Sequence, residues 1–371
     1  MAKRRLNSEG SITFHKQSNL WFARVSHGDK RVGIYKKTKR EVQKALKELQ
    51  REQDHGAQLT NSTMLLKDYL PEWLLMHKNA LRASSYEGYE TIVRVHLVPR
   101  FGRYKLNGIT PDIITKTWAT MIQQGHSATV VNHCQRRLSK ALNDAVRRNL
   151  IFRNPCALVT TPKIQKKEIT VLDFKEIELL LLEAKTTPHH PIIFMALQTG
   201  MRRNELLALL WKDVDLDLET IHVSRSIFRI HKKTVVQPTK TKNSNRTIAL
   251  SPQATLFLKS ELQRQIDSGL FHGYKVNGGS PVFSNVYSGK GLLPSSLSAA
   301  FKTIANRAYL NAKFNDLRHT HASILFKQNV HPKIVQERLG HSSIRVTLDI
   351  YSHLMPNMQK DAIQNFTIGI T

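Results

Sequence analysis

Apolar and polar positions change their period several times along this 371-residue chain. SITFHKQ, NLWFARVSH and KRVGIYK read as three short strands, with Ser18-Asn19 and Gly28-Asp29 as the turns between them. From Lys39 to Glu52 the pattern becomes helical, with Ala45, Leu46 and Leu49 on one apolar stripe. A polar stretch from His55 to Asn61, containing Gly56, reads as a linker. Four helical segments follow between Met64 and Leu150: MLLKDYLPEWLLMHK, SSYEGYETIVRVHLVPRF, TPDIITKTWATMIQQG and SATVVNHCQRRLSKALNDAVRRN. Thr110-Pro111 opens the third with a cap and a proline at the first helical position, Gly125 ends it, and Ser127 caps the fourth. Asn154-Pro155 and TTPKIQKKE mark a second boundary, after which Asp173 and Glu176 have capping-box spacing ahead of ELLLLEA. Pro191–Leu197 is apolar on nearly every side and predicts a buried helix. TIHVSRSIF, TVVQPTK and NRTIAL read as strands, and helices then run to the end, interrupted by a loop at GYKVNGGS. No internal repeat is evident. The expected architecture is multidomain: an N-terminal three-stranded sheet plus helix (α+β), a central all-α bundle, and a C-terminal mostly α domain with a small β-sheet.

Charge adds a partner to this picture. Lys and Arg number 56 against 28 Asp and Glu, a formal net charge of +28. Such an excess favours a polyanion, because binding a charged backbone releases counterions. Ribosomal protein, nuclease, recombinase and transcription factor all fit that balance. The first 60 residues hold 14 Lys and Arg against 6 Asp and Glu. Basic and aromatic residues interleave there as in a DNA groove reader, with Arg24 and Arg31 as candidate contacts; the alternative is a solvated basic face. The fourth helical segment carries Arg136, Arg137, Lys140, Arg147 and Arg148, and the second boundary carries Lys163, Lys166 and Lys167, close to phosphates if DNA is bound. Cys134 and Cys156 have no metal-like spacing and read as free thiols of a reducing compartment. No apolar run approaches 18 residues and no apolar segment follows the basic MAKRR, so neither a membrane span nor a signal peptide is expected.

Candidate chemistry starts at TGMRRNELLALLWKDVDL. Gly200 ends one helix, and ELLALLW is expected to begin another with Leu206, Leu209 and Leu210 buried and Trp211 in the core. Arg202 is thereby pinned in a turn between packed helices, a rigid guanidinium suited to a phosphate, with Glu205 able to hold it in register. Further on, Arg318 lies in NDLRHT, and Tyr351 follows LGHSS by a short distance. Each has an ordinary reading by itself. Arg318 could pair with Asp316 or Asp349, His341 could cap the next helix (Ser342 being the better cap), and Tyr351 could simply pack.

Four segments, in order, resemble the tyrosine recombinase or phage integrase family. TGMRRNE resembles its first arginine box, PTKTKNSNRTIAL its lysine-bearing β-hairpin, NDLRHTHAS its His-x-x-Arg box, and LGHSSIRVTLDIYSHL its terminal box ending in the nucleophile. The resemblance covers roughly the last 200 residues and extends upstream more weakly. It implies an arm-site DNA-binding domain over residues 1–58, a core-site-binding helical domain over 62–162 and a catalytic domain with a docking tail over 168–371. Together these would form a clamp around duplex DNA.

The resemblance implies that Tyr351 attacks the scissile phosphodiester, leaving a 3′-phosphotyrosyl bond and a free 5′-hydroxyl. Arg202 and Arg318 would grip the non-bridging oxygens and His341 would donate to the phosphate or orient the nucleophile. Lys240 would protonate the departing oxygen, with Lys242 as its rival. No cofactor and no metal are implied. The position that usually carries the second-box histidine is Asn315, which cannot exchange a proton near neutral pH. Three accounts follow: Asn315 does the same positioning job with base catalysis modest or supplied elsewhere, which is the favoured one; His319 or His321 substitutes from a different spacing; or activity is impaired. A homotetramer on attachment-site DNA is implied, in the cytoplasm of a bacterial host, with a host DNA-bending protein and an excision factor setting direction. The carrier would be a phage or an integrative conjugative element. Phe366–Ile370 in the tail would dock on a neighbouring subunit or on its own domain. A fold retained without cleavage, and a topoisomerase-like relaxing enzyme, are the competing readings.

Overall fold

The computed structural model describes residues 11–15, 20–27, 30–47, 64–164, 169–230, 233–238 and 244–351. The chain divides into two compact units, Met1–Gln165 and Lys166–Thr371.

In the first unit, β1 (Ser11–His15), β2 (Leu20–His27) and β3 (Lys30–Lys36) form an antiparallel sheet in the order β1-β2-β3. Thr38 opens the helix over residues 39–47 (α1) with a reciprocal capping box: the Glu41 amide donates to Thr38 Oγ1, and the Thr38 amide to the Glu41 carboxylate. Val42 and Leu46 of α1 bury against Ala23, Ile12 and Trp21. The register sets Arg24 opposite Gly33 and Arg31 opposite Ser26, but the side chains of these two arginines lie outside the described ones.

The bundle comprises α2 (Leu66–Met76), α3 (Ala83–Thr91), a π-helical turn (Ile92–Leu97) leading into α4 (Val98–Phe101), α5 (Pro111–Gln123) and α6 (Ala128–Arg147). Thr110 and Ser127 cap α5 and α6 as their sequence positions predict. Trp73, Trp118, Tyr69 and Phe101 are fully buried among leucines, each contributing roughly 1.5–3 kcal/mol or more of burial energy.

The second unit opens with α7 (Phe174–Lys185), held by the Asp173–Glu176 capping box, and α8 (His190–Thr199), buried on nearly all sides as expected. Next comes α9 (Arg203–Leu206), a single turn. Here the structure corrects the expectation of a longer helix through ELLALLW. Leu209 and Leu210 leave the helix because the segment 278–282 captures the backbone: Val282 N–H donates to the Leu209 carbonyl, and Trp211 N–H to that of Ser280. Leu206 and Leu209 are buried, whereas Leu210 is half-buried. Trp211 is core and donates to Gln265. β4 (Val214–Asp215), β5 (Thr220–Val223), β6 (Arg225–Ile230), β7 (Lys233–Pro238) and β8 (Arg246–Ala249) follow. TIHVSRSIF is two strands, not one. Among the described residues, β5 lies between β4 and β8, while β6 pairs with β7 in a two-stranded ribbon. Ser224 lies between the two strands. The remaining helices are α10 (Pro252–His272), α11 (Pro294–Arg307), α12 (Asp316–Lys327), α13 (Pro332–Leu339) and α14 (Ile344–Tyr351). No helix among the described residues is long and apolar enough to cross a membrane.

Candidate active site

Two left-handed glycines shape the site. Gly200 closes α8 at φ 63° and Gly340 closes α13 at φ 68°. Both conformations suit glycine, and a Cβ at Gly200 would lie 2.6 Å from the His321 ring. These turns free backbone carbonyls that a continuing helix would have consumed.

Three arginines take up consecutive carbonyls at the end of α13. Arg246 Nε donates to the Arg338 carbonyl at 2.7 Å, Arg318 donates to that of Leu339 at 2.7 Å, and Arg202 to that of Gly340 at 3.1 Å. The negative end of the helix dipole favours cations there. Arg318 also donates to the Gly200 carbonyl at 2.8 Å, so its guanidinium is locked between the ends of two helices. Neither Asp316, whose carboxylate accepts from the Lys313 amide, nor any other carboxylate among the described residues forms an ion pair with it. Burial, with the Arg202 charge adding to it, brings the Arg318 pKa down to about 9, which still leaves it charged at neutral pH.

Glu205 sits beneath the arginines, 3% exposed, and accepts from Arg202 at 2.7 Å and from Arg246 at 2.9 Å. It also takes the Arg202 amide as the third residue of a capping box. Burial would raise its pKa, but Arg246 and Arg202 outweigh that and hold it below the usual carboxylate range. Arg202 itself is half-buried and lines a cavity of about 790 Å³ shared with Arg203, Lys302, Lys313 and Asn315. The arrangement is a set of fixed donors able to receive an anionic oxygen without reorganising.

Tyr351 ends α14, 1% exposed, with its ring 5.4 Å from that of Phe326. Its hydroxyl lies 2.7 Å from Nδ1 of His319, and Nε2 of that imidazole lies 3.2 Å from the Asn315 amide nitrogen. Burial pushes the phenol up to about 12, against the opposing pull of Arg318. His319 is held below its ordinary value, by burial first and by Arg318, with Asp316 opposing.

His341 is buried and bonds Thr347 Oγ1 through Nδ1 at 2.8 Å, so it is placed beside the arginines rather than on the Tyr351 hydroxyl. Burial and the neighbouring Arg318 and Arg202 charges bring it down to about 3; neutral, it can still donate. His321 does not reach the tyrosine. Its Nδ1 donates to the Leu197 carbonyl and its Nε2 accepts from Arg338, which makes it a structural brace.

Lys240, Lys242, Lys166, Lys167 and the tail segment Phe366–Ile370 lie outside the described residues. Lys163 and Arg136 are exposed. Arg137 and Lys140 lie over the Tyr89 ring at 4.8 and 5.2 Å. Arg147 and Arg148 pair with Asp144 and Glu72, so the basic face of α6 is partly neutralised. Sequence reasoning missed Arg246. The signal was available, since Arg246 alternates with buried Ile248 and is therefore an inward-facing charge on a strand.

The sequence pattern of the phage integrase family matches residues 170–358, and that of the phage integrase N-terminal SAM-like domain matches residues 65–121. The chain belongs to the phage integrase family. It is thus a DNA-binding tyrosine recombinase, an enzyme that cleaves and rejoins DNA, of the integrase kind associated with mobile elements. A curated relative, the tyrosine recombinase XerC-like protein of Caldanaerobacter subterraneus subsp. tengcongensis, is 28% identical over 361 residues, covering 89% of this integrase and 90% of the relative. The same fold occurs in the Tn1549 transposon integrase in complex with circular intermediate DNA (TM-score 0.69, 19% identity, 82% of this chain and 100% of that one). It occurs also in a lambda integrase tetramer bound to a Holliday junction (TM-score 0.59, 17% identity, 94% and 96%).

Proposed function

We propose that this recombinase integrates a phage or integrative element at defined attachment sites, and excises it with accessory factors. The observation that carries the reading is the pair of guanidinia, Arg202 and Arg318, fixed on adjacent carbonyls at the end of α13. Donors so fixed stabilise charge that develops on a phosphate in the transition state, roughly 3 kcal/mol each. Tyr351 attacks the phosphorus, the P–O5′ bond breaks, and the strand is held as a 3′-phosphotyrosine. Lys240 protonates the 5′-oxygen, and His341 donates a hydrogen bond to the phosphate. A 5′-hydroxyl of the partner duplex then reverses the step, so no external energy source is required.

In this reading residues 1–58 hold arm sites, 62–162 the core site, and 168–371 carry out cleavage, with Lys163, Lys166 and Lys167 on the intervening strap and Arg136, Arg137 and Lys140 toward core-site phosphates. Four protomers act together, as in the lambda integrase tetramer described on a Holliday junction. The site of action is the cytoplasm of a bacterial host. The test is a nicked suicide duplex carrying the element's own attachment core. The wild type is expected to accumulate a covalent 3′-linked adduct and Tyr351→Phe none; an adduct that survives the substitution overturns the assignment. Paired attachment sites then separate recombination from mere relaxation of supercoils.

A further inference from the structure

The family resemblance leaves the proton of the nucleophile without a destination, because Asn315 replaces the usual histidine. We propose that Tyr351, His319 and Asn315 form a proton-relay triad in which His319 is the general base and Asn315 orients it. The proposal rests on the reading of Tyr351 as nucleophile. Three observations carry it. The Tyr351 hydroxyl has His319 Nδ1 at 2.7 Å, within proton-transfer distance. The other imidazole nitrogen has the Asn315 side chain at 3.2 Å. Asn315 stands at the N-terminal end of α12 and His319 one helical turn further on, so a single element carries the base and its orienter.

As placed, the Asn315 amide nitrogen faces Nε2, and the tautomer that serves a base requires a half-turn of that carboxamide. A carboxamide offers its oxygen or its nitrogen to a partner by a half-turn of its terminal group. With the oxygen toward Nε2, that nitrogen carries the hydrogen and Nδ1 presents its lone pair to the phenol. The same division of labour, with an asparagine or aspartate orienting a histidine that serves a nucleophile, recurs on unrelated folds. As the bond between Tyr351 Oη and phosphorus forms and P–O5′ breaks, the phenolic proton passes to Nδ1. In the rejoining step the imidazolium returns that proton to Oη.

The charged and titratable groups around the imidazole are Asp316 and Arg318 on α12, His341 after α13 and Tyr351 on α14. Their balance with burial keeps His319 below its ordinary value and thus neutral at pH 7, the form that can accept a proton. Of the two histidines that could substitute, His321 does not fit, because both its ring nitrogens are occupied, whereas His319 meets both Tyr351 and Asn315.

The test is single-turnover adduct formation on the nicked attachment-core duplex as a function of pH, with binding to the same duplex measured for every variant. The His319→Gln variant is expected to bind normally and form adduct about 100-fold more slowly, the low end for lost general-base catalysis, with the acid limb of the wild-type profile gone. Asn315→Leu should slow the reaction about tenfold, and Asn315→Asp, which keeps an acceptor, should recover it. On a duplex with sulfur at the 5′-bridging position, whose leaving group needs no proton, the His319→Gln defect should persist. Wild-type rate and an intact acid limb in His319→Gln overturn the proposal, as does rescue by the bridging sulfur, which would move His319 to the leaving group. If His319→Gln fails to bind DNA, the Asn315 pair decides: equal rates in Asn315→Leu and Asn315→Asp overturn the triad. Failure of the broader reading looks different, since an adduct would then persist in Tyr351→Phe.

Discussion

The helical bundle of the first unit and the catalytic core of the second are both well buried, but they are held together by different means. In the bundle, apolar side chains fill the interior, and several of its buried polar groups have simple partners. Tyr69 donates to the Ala141 carbonyl, Trp73 to Asp144, and Trp118 to Gln135, which in turn donates to the Cys156 carbonyl. The catalytic core gathers buried charge at one end: Glu205, Arg246 and Arg318, with Arg338 beside them donating to the carbonyls of Ala249 and Gln198. Apolar packing is non-directional, so the bundle needs the right volume. A buried charge needs every partner, so the catalytic core needs the right carbonyl at the right place. The first kind of interior holds a shape; the second holds guanidinia at a fixed point.

Removing the shared carboxylate should break the contrast most sharply. Glu205→Ala leaves Arg246 buried and unpaired and should cost about 4 kcal/mol in urea unfolding, with loss of adduct formation. Next is a pair of glycines, one in each region, both left-handed. Gly200→Ala meets His321 and Leu339 side chains and should cost about 3 kcal/mol, from backbone strain and overpacking together. Gly125→Ala, with φ 85° and nothing within 4 Å, should cost only about 1 kcal/mol. Equal losses would mean that close packing at Gly200 adds nothing.

Acid should then act through the catalytic core. His321 is held near pKa 3 by burial, with Arg338 adding to it, while the unfolded chain returns it to its ordinary value near 6.5. Between those values the unfolded state binds more protons, so stability is full above about pH 6.5 and declines as pH falls toward 3. At pH 5 the loss should be on the order of 2 kcal/mol, and His321→Gln should flatten that slope in thermal melts. The smallest effect belongs to the bundle surface. Glu72→Ala breaks an ion pair with Arg148 whose partners are 44% and 40% exposed, and should change stability by less than about 1 kcal/mol.

Much of the fold was legible along the chain. Thr110, Ser127 and Asp173 cap the helices that their positions predict, and β1 to β3 fall where the alternation places them. These are interactions over a few residues, where residue type decides the outcome. The ELLALLW segment failed the same test because a distant strand-like segment captured the backbone at Leu209 and Trp211. In the site, the arginine boxes and Glu205 were visible as motifs. Arg246 was not, because a single arginine in a strand is ordinary until Glu205 and the Arg338 carbonyl are seen beneath it. His319 was visible only as a rival to Asn315, and the structure makes the two neighbours in one chain of contacts.

By itself, then, the sequence determined the elements, their order and the chemical inventory: arginines, histidines and a tyrosine in four ordered segments. Those follow from local rules of capping, alternation and residue type. Tertiary structure alone decided which carbonyl each guanidinium takes and which imidazole meets the nucleophile. Arg202 reaches across 138 residues to Gly340, and His319 across 32 to Tyr351. Contacts at such separations depend on how helix ends pack, which no local pattern specifies.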